Sequence, residues 1–189
     1  MLCISQGVKA MKRIGARFST VAIALALCLT VASAVSAGRL GMETKSLKGL
    51  AGVCVVVESL APDITQDGLS SDILKKTISD RLAAGGVSLL TEEQLSQPGG
   101  AIFYISITSV KNDMGLYACN IHAEVIQAAA LTRDPNILTP ATTWTSGTVG
   151  IVGASNVKQL GRTVSDIADE FIKDFLSVNS KQQLKPKVA

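Results

Sequence analysis

Two alternating segments joined by a short polar turn constrain the fold of this chain most strongly. Apolar and polar residues alternate from Ala101 to Val110, and alternation resumes from Tyr117 to Val125 after the turn sequence Lys111–Gly115. Successive side chains of a strand point to opposite faces, so each segment predicts a strand with one apolar and one polar face. The short turn joins the two strands into an antiparallel hairpin.

The residues before this hairpin predict a strand, a helix and a second strand. Gly52–Glu58 is a continuous apolar run rich in valine, typical of a strand covered on both faces. Ser70–Ser71 can cap a helix that ends at Gly85–Gly86. Its apolar residues recur on one helical face at Leu74, Ile78 and Leu82. Val87–Leu90 predicts a short strand, and Thr91–Gln94 matches a capping box that opens only a turn or two.

The residues after the hairpin predict a loop, a strand and a closing helix. Leu131–Thr139 contains Pro135 and predicts the loop, and the β-branched content of Thr142–Val149 predicts the strand. The helix extends to Asn179 and carries an apolar stripe at Val157, Leu160, Val164, Ile167, Phe171 and Leu176. The predicted class is α+β, a mainly antiparallel sheet with amphipathic helices packed on it, in the order β-α-β-(short α)-β-β-β-α.

The first 37 residues predict export. The basic stretch Lys12–Arg17 precedes the uncharged apolar run Val21–Val35, and small residues lead to a cleavage site after Ala37. These are the three parts of a secretory signal peptide, here residues 1–37. The apolar run is short for a bilayer core of about 30 Å, so no membrane span is expected after cleavage.

Two features of this segment bear on its processing. The sequence from Met11 forms a complete signal peptide by itself, so Met1 and Met11 are both candidate starts. Cys28 lies inside the apolar run and follows Leu27, whereas lipoprotein processing requires a small residue before the cysteine. The predicted product is therefore a soluble periplasmic or secreted protein.

The processed chain has the length of one domain and almost no net charge. Cleavage leaves 152 residues, divided into a flexible leader 38–47, a single α+β domain 48–179 and a disordered tail 180–189. Four of the 18 Lys and Arg lie in the signal, whereas all 15 Asp and Glu follow it, so the processed charge is −1. A near-neutral chain gives no electrostatic basis for binding nucleic acid.

Two cysteines, Cys54 and Cys119, remain after cleavage, and both lie in predicted strands. An even number of cysteines in an exported protein permits a disulfide between them. The alternative is a pair of buried thiols that act as small apolar side chains.

The sequence contains no coherent set of catalytic or metal-binding residues. His122 is the only histidine, and its neighbour at i+2, Glu124, shares its strand face. This pair resembles half of an acid/base or metal site, but a zinc site requires three or four ligands. The glycine-rich run Gly147–Gly153 lacks the Gly-Lys-Ser/Thr ending of a phosphate-binding loop, and we interpret its glycines as turn or strand-end residues. We therefore expect no catalytic residue, no metal and no cofactor.

Aromatic and polar residues on the predicted strands are candidates for partner binding. Trp144, the only tryptophan, is either a core anchor or an exposed recognition residue. If the strands are neighbours in the right register, Trp144 joins Tyr104, Asn120 and His122 on a polar-aromatic sheet face. The candidate partner-binding residues are Tyr104, His122 and Trp144.

The order of elements resembles the TolB amino-terminal-like superfamily, which includes CsgG and LpoB. The segments that carry the resemblance are GVCVVVE, SSDILKKTISDRLAAGG, VSLL, the hairpin around KNDMG and VKQLGRTVSDIADEFIKDFLSVN. The resemblance implies a small module that binds other envelope proteins and catalyses nothing. We therefore expect an exported, non-catalytic accessory or adaptor in envelope protein assembly or regulation. A small-ligand-binding periplasmic protein and a hydrolase are the alternatives.

Overall fold

A computed structural model describes residues 41–179, and its compact body begins at Glu43. The predicted signal peptide 1–37 and tail 180–189 lie outside the described residues. Within them, the four strands are β1 (Gly52–Val57), β2 (Gly100–Lys111), β3 (Leu116–Leu131) and β4 (Asp134–Gly153). The helices are α1 (41–46), α2 (Pro62–Gln66), α3 (Ser71–Ala84) and α4 (Leu160–Asn179). Short 3₁₀ helices cover Glu92–Ser96 and Ala154–Gln159.

The strands form one sheet in the order β1-β2-β3-β4. β1 runs parallel to β2, whereas β2, β3 and β4 form an antiparallel meander. Helix α3 makes the crossover between the two parallel strands. The predicted α+β class with a mainly antiparallel sheet is confirmed.

One face of the sheet is covered by α3 and α4, and the core lies there. Phe171 of α4 is fully buried, with its ring centroid 4.9 Å from that of Phe103 on β2 and 5.3 Å from that of Trp144 on β4. The indole Nε1 of Trp144 donates a hydrogen bond to Asp174 Oδ2 at 3.0 Å. Because every apolar side chain of this cluster is shielded from water, it supplies much of the driving force for folding.

Helix α3 begins and ends where its sequence predicts. The Ser70 side chain accepts a hydrogen bond from the Ile73 N–H and caps the helix, whose buried residues are Leu74, Ile78 and Leu82. At the other end, a Cβ on Gly85 would lie 2.7 Å from Ile172 Cδ1. Glycine therefore lets the end of α3 approach α4 closely. The Arg81 guanidinium makes two hydrogen bonds to the Asp169 carboxylate and joins the same two helices.

The prediction of a flexible leader over residues 38–47 is wrong for residues 41–47, the part that the structure describes. Residues 41–46 are helical and the Leu47 side chain is fully buried. Asn179, at the end of α4, accepts a hydrogen bond from the Gly49 N–H at 2.8 Å and donates to the Leu47 and Phe175 carbonyls, both at 2.9 Å. The Asn179 side chain therefore links residues 47–49, at the start of the domain, to the end of α4.

Two further predictions differ from the structure. The expected loop Leu131–Thr139 is the tip of a long hairpin, in which β3 continues to Leu131 and β4 begins at Asp134. Proline is tolerated there because β4 is an edge strand. The expected strand Val87–Leu90 is reduced to a single bridge between Val53 and Leu89.

Candidate functional site on the open face of the sheet

The sheet face opposite α3 and α4, here called the open face, displays the even-numbered residues of β2 and β3. Residues directly opposite each other across the three antiparallel strands form rows, and four consecutive rows make up the candidate site. The rows are Tyr104–Glu124–Thr145, Ser106–His122–Gly147, Thr108–Asn120–Val149 and Val110–Ala118–Ile151. Two of the three predicted partner-binding residues, Tyr104 and His122, therefore lie in neighbouring rows of one surface.

His122 is held by hydrogen-bonding groups on two strands. Its Nε2 lies 3.0 Å from Glu124 Oε1 and 3.1 Å from Thr145 Oγ1. Glu124 is itself fixed, because Thr142 donates a hydrogen bond to its second carboxylate oxygen. The His122 and Glu124 side chains are both partly exposed, so their contact orients the imidazole but adds little stability.

Gly147 makes room for the His122 imidazole. It lies directly opposite His122, and a Cβ there would be 2.7 Å from the Ile121 carbonyl oxygen and 3.0 Å from His122 Nδ1. Sequence reasoning missed this role, because it explained the glycines of this run as turn or strand-end residues. The available signal was a glycine in the middle of a β-branched strand, which marks a close approach.

Tyr104 lies next to two carboxylates, those of Glu58 and Glu124, on the open face. Burial raises the pKa of its phenol, and a hydrogen bond with the Glu58 carboxylate and the nearby Glu124 carboxylate raise it further. Glu58 directly follows β1 and is placed by a hydrogen bond from its N–H to the Ile105 carbonyl at 2.8 Å. The centre of the open face therefore combines an imidazole, a phenol and two carboxylates.

An apolar strip, defined as Val110, Ala118, Val149 and Ile151, adjoins this polar centre. The side chains of Val110, Val149 and Ile151 are 70%, 77% and 76% exposed. All four residues lie on the open face in two adjacent rows, near the end where β2 turns into β3. Contiguous exposed apolar side chains of this kind mark interaction surfaces.

Trp144 is not part of this surface. It lies opposite Val125 on the helix-covered face and is almost fully buried against Phe103 and Phe171. Its assignment to a partner-binding set with Tyr104 and His122 is therefore wrong, and the core-anchor interpretation is correct. The physical reason is strand parity, because Thr145, the next residue of β4, is the one that reaches the open face.

Cys54 and Cys119 do not form the disulfide that the cysteine count permitted. Both Cys54 and Cys119 are free and buried, and burial raises the pKa of each thiol. Cys54 pairs with Ile102 of β2 and Cys119 with Ser109, so the cysteines lie on opposite faces of the sheet. Ile102 and Ser109 are seven positions apart on β2, roughly 23 Å along a strand. A disulfide requires its Cα atoms within about 7 Å.

The described residues contain no cluster of side chains that could bind a metal ion. Within residues 41–179, no group of three or more His, Cys, Asp or Glu side chains is placed to hold a metal ion. No helix in this same range is long and apolar enough to cross a membrane. The open face presents hydrogen-bonding groups beside an apolar strip.

Comparisons with known proteins add no family assignment. No family model matches the chain, and no curated protein matches it. Among solved structures, a minor lipoprotein from Acinetobacter baumannii aligns over 69% of this chain and 93% of its own, with 11% identity and a TM-score of 0.33. A similarity of this size supports no inference about this chain, and the resemblance to the TolB amino-terminal-like superfamily stays a prediction.

Proposed function

We propose that this protein is an exported, non-catalytic accessory protein of the cell envelope that binds another envelope protein through its open face. The observation that carries the proposal is the apolar strip beside the polar centre of Tyr104, His122 and Glu124. An apolar strip excludes water when covered, and the neighbouring polar groups supply direction and specificity.

The filled core favours a protein partner over a small ligand. A small-ligand binder with this fold would require an enclosed apolar cavity, for example under the closing helix. In the described residues, Phe103, Trp144 and Phe171 fill the centre of that space with ring centroids 4.9 to 6.2 Å apart, and the groove of about 410 Å³ that remains between β4 and α4 is open to solvent. The exposed apolar surface is on the opposite side of the sheet, where an extended partner can reach it.

The export step of the proposal is supported by residues 1–37. We expect cleavage after Ala37, so that the mature protein begins at Gly38. Amino-terminal sequencing of the protein recovered from the periplasm or the medium measures this directly. Recovery of an intact segment 1–37, or of a lipid-modified Cys28, contradicts the proposed processing.

Site-specific photo-crosslinking in living cells tests the binding face. A photoreactive amino acid at Val110, on the apolar strip, should give a defined adduct with an envelope protein. The matched control is Ile73 of α3, which is 68% exposed on the opposite side of the molecule and should give none. Equal adducts at both positions, or adducts at Ile73 alone, contradict the assignment of the open face.

A substitution then tests whether the same surface is required. Val110→Asp should abolish the adduct formed from a second probe placed at Asn120, since both residues lie on the open face in adjacent rows. Ile73→Asp should leave that adduct unchanged. An adduct that survives Val110→Asp means that the apolar strip does not bind the partner.

A further inference from the structure

The two outer edges of the sheet differ in how they are protected. On the outer side of β1, the Val53 N–H donates to the Ser88 carbonyl and the Leu90 N–H donates to the Val53 carbonyl, both at 2.9 Å. On the outer side of β4, no strand from residues 41–179 pairs with it. The outer edge of β1 is thus bridged at Val53, whereas no backbone segment of the described chain pairs with the outer edge of β4.

The register shows which peptide groups this edge presents. The Ala154 N–H donates to the Gly115 carbonyl at 2.9 Å, and pairing with β3 is unbroken from Gly153 back to Trp144. Antiparallel pairing alternates, so even-numbered residues of β4 bond to β3 and odd-numbered residues point their peptide groups outward. The outward set is Thr145, Gly147, Val149 and Ile151.

The chemistry of this edge favours pairing with another strand. Pro140–Gly153 contains no charged residue, and Pro140 is its only proline. Natural edge strands are usually protected by lysine, proline, a bulge or a covering segment. From Thr145 to Gly153 the described β4 has none of these, so it is a template for strand addition.

We propose that the open edge of β4 pairs with β4 of a second copy of this chain, antiparallel and about a two-fold axis at Thr148. Because this strand carries no charge, two copies can pair without like-charge repulsion. Two copies of a charged edge would repel each other. The two-fold axis pairs Gly147 with Val149 of the second copy, and both residues direct their peptide groups outward. The contact is isologous, and it closes as a dimer with one continuous sheet.

Charge complementarity on α4 supports a second copy as the occupant. Ser146 donates a hydrogen bond to Glu170 at 2.6 Å, which places this carboxylate beside β4. Gly150 and Arg162 line one groove of about 410 Å³ between β4 and α4, and within residues 41–179 Arg162 has no ion pair. The proposed axis pairs Ser146 with Gly150 of the second copy. It therefore brings Glu170 of each copy to the groove that holds Arg162 of the other.

The groove has room for this approach. A Cβ built on Gly150 meets no atom within 4 Å, so the helix-covered side of the edge is open at this residue. Thr148 borders the same groove and would face its own copy at the axis. Neither residue must move for the second strand to pair.

Sedimentation equilibrium of the complete protein tests the proposal. We expect a mass twice that of the chain, with a dimer that dissociates on dilution. Val149→Pro removes an outward N–H that has no partner within the described chain, and Ile151→Lys places a charge on the edge. Both should give monomers whose thermal unfolding midpoint equals that of the wild type diluted below its dissociation constant. Ile73→Lys, exposed on α3, should remain dimeric.

A charge exchange separates self-association from pairing with a different strand. Arg162→Glu and Glu170→Arg should each raise the dissociation constant about tenfold, since each affects two symmetric ion pairs. The double variant should restore it. A monomer at every concentration, a dimer that persists in both edge variants, or no rescue in the double variant overturns the proposal. Val110→Asp should leave the dimer intact, so failure of the proposed partner binding is distinguishable from failure of the dimer.

Discussion

The two faces of the sheet are made by the same strands but differ in what they do. On the helix-covered face, Ile105 and Ile107 of β2 are buried against the core. On the open face, Tyr104 borders the polar centre and Val110 is exposed. Alternation along one strand therefore divides its residues between the core and the open face, which we propose binds a partner. Substitutions at neighbouring positions should accordingly have very different consequences, and the predictions below test that division.

The largest stability effect is expected at the centre of the helix-covered face. Phe171→Ala removes a fully buried ring that packs on Phe103, Trp144 and Phe175, and it should lower the free energy of unfolding by about 3–5 kcal/mol. Denaturant unfolding measures the change. Lys173→Ala, exposed on the same helix, is the control and should change little. A similar loss for both variants would mean that α4 does not pack through this face.

A smaller loss is expected at the rim of the same face. Asn179→Ala leaves the Gly49 N–H and the Leu47 carbonyl without the partners that Asn179 supplies. Unsatisfied buried polar groups cost about 1–3 kcal/mol, so the free energy of unfolding should fall by that amount. Ser177→Ala, in the same last turn but exposed, is the matched substitution. Equal stability of the two variants contradicts the proposed fastening of the domain entry.

A pH dependence is expected at the contact between α2 and the hairpin. The Asp67 carboxylate accepts hydrogen bonds from Lys111 Nζ and the Tyr117 hydroxyl, both at 2.6 Å, and these hold its pKa below the usual value. Its stabilisation is present above the unfolded pKa of about 3.9 and is lost as the pH falls through the lower folded value. Asp67→Asn should therefore reduce stability at neutral pH and flatten the acid limb of the unfolding midpoint. An acid limb identical to wild type excludes Asp67 as its source.

Local sequence patterns predicted the helices and strands, whereas the wrong predictions concern features that depend on long-range contacts. The turn Lys111–Gly115 and the alternation around it were sufficient for the hairpin, whereas the register that places Tyr104 and His122 on one face came from the structure. The face of Trp144 was not predictable, because the β-branched strand around it has no clear alternation and a register shift lies beside it. Leu47 is buried by the end of α4, a contact that no local pattern reveals.

The open edge of β4 also escaped prediction for a physical reason. Pro135 in the expected loop Leu131–Thr139 indicated that no strand begins there, but an edge strand tolerates proline where a central strand does not. Strand order decides which of the two applies, and strand order is a property of the whole sheet. The length of β4 and its position at the edge of the sheet are therefore known only from the structure.

The most direct test compares two residues of β2 that lie three positions apart on opposite faces. Ile107 is 6% exposed and faces the helices, whereas Val110 is 70% exposed on the open face. Ile107→Asp buries an unpaired carboxylate and should lower the free energy of unfolding by more than about 3 kcal/mol. Val110→Asp should change it by less than about 0.5 kcal/mol. Comparable losses for the two variants in denaturant unfolding would contradict the division of the sheet into a face that forms the core and an open face that folding does not require.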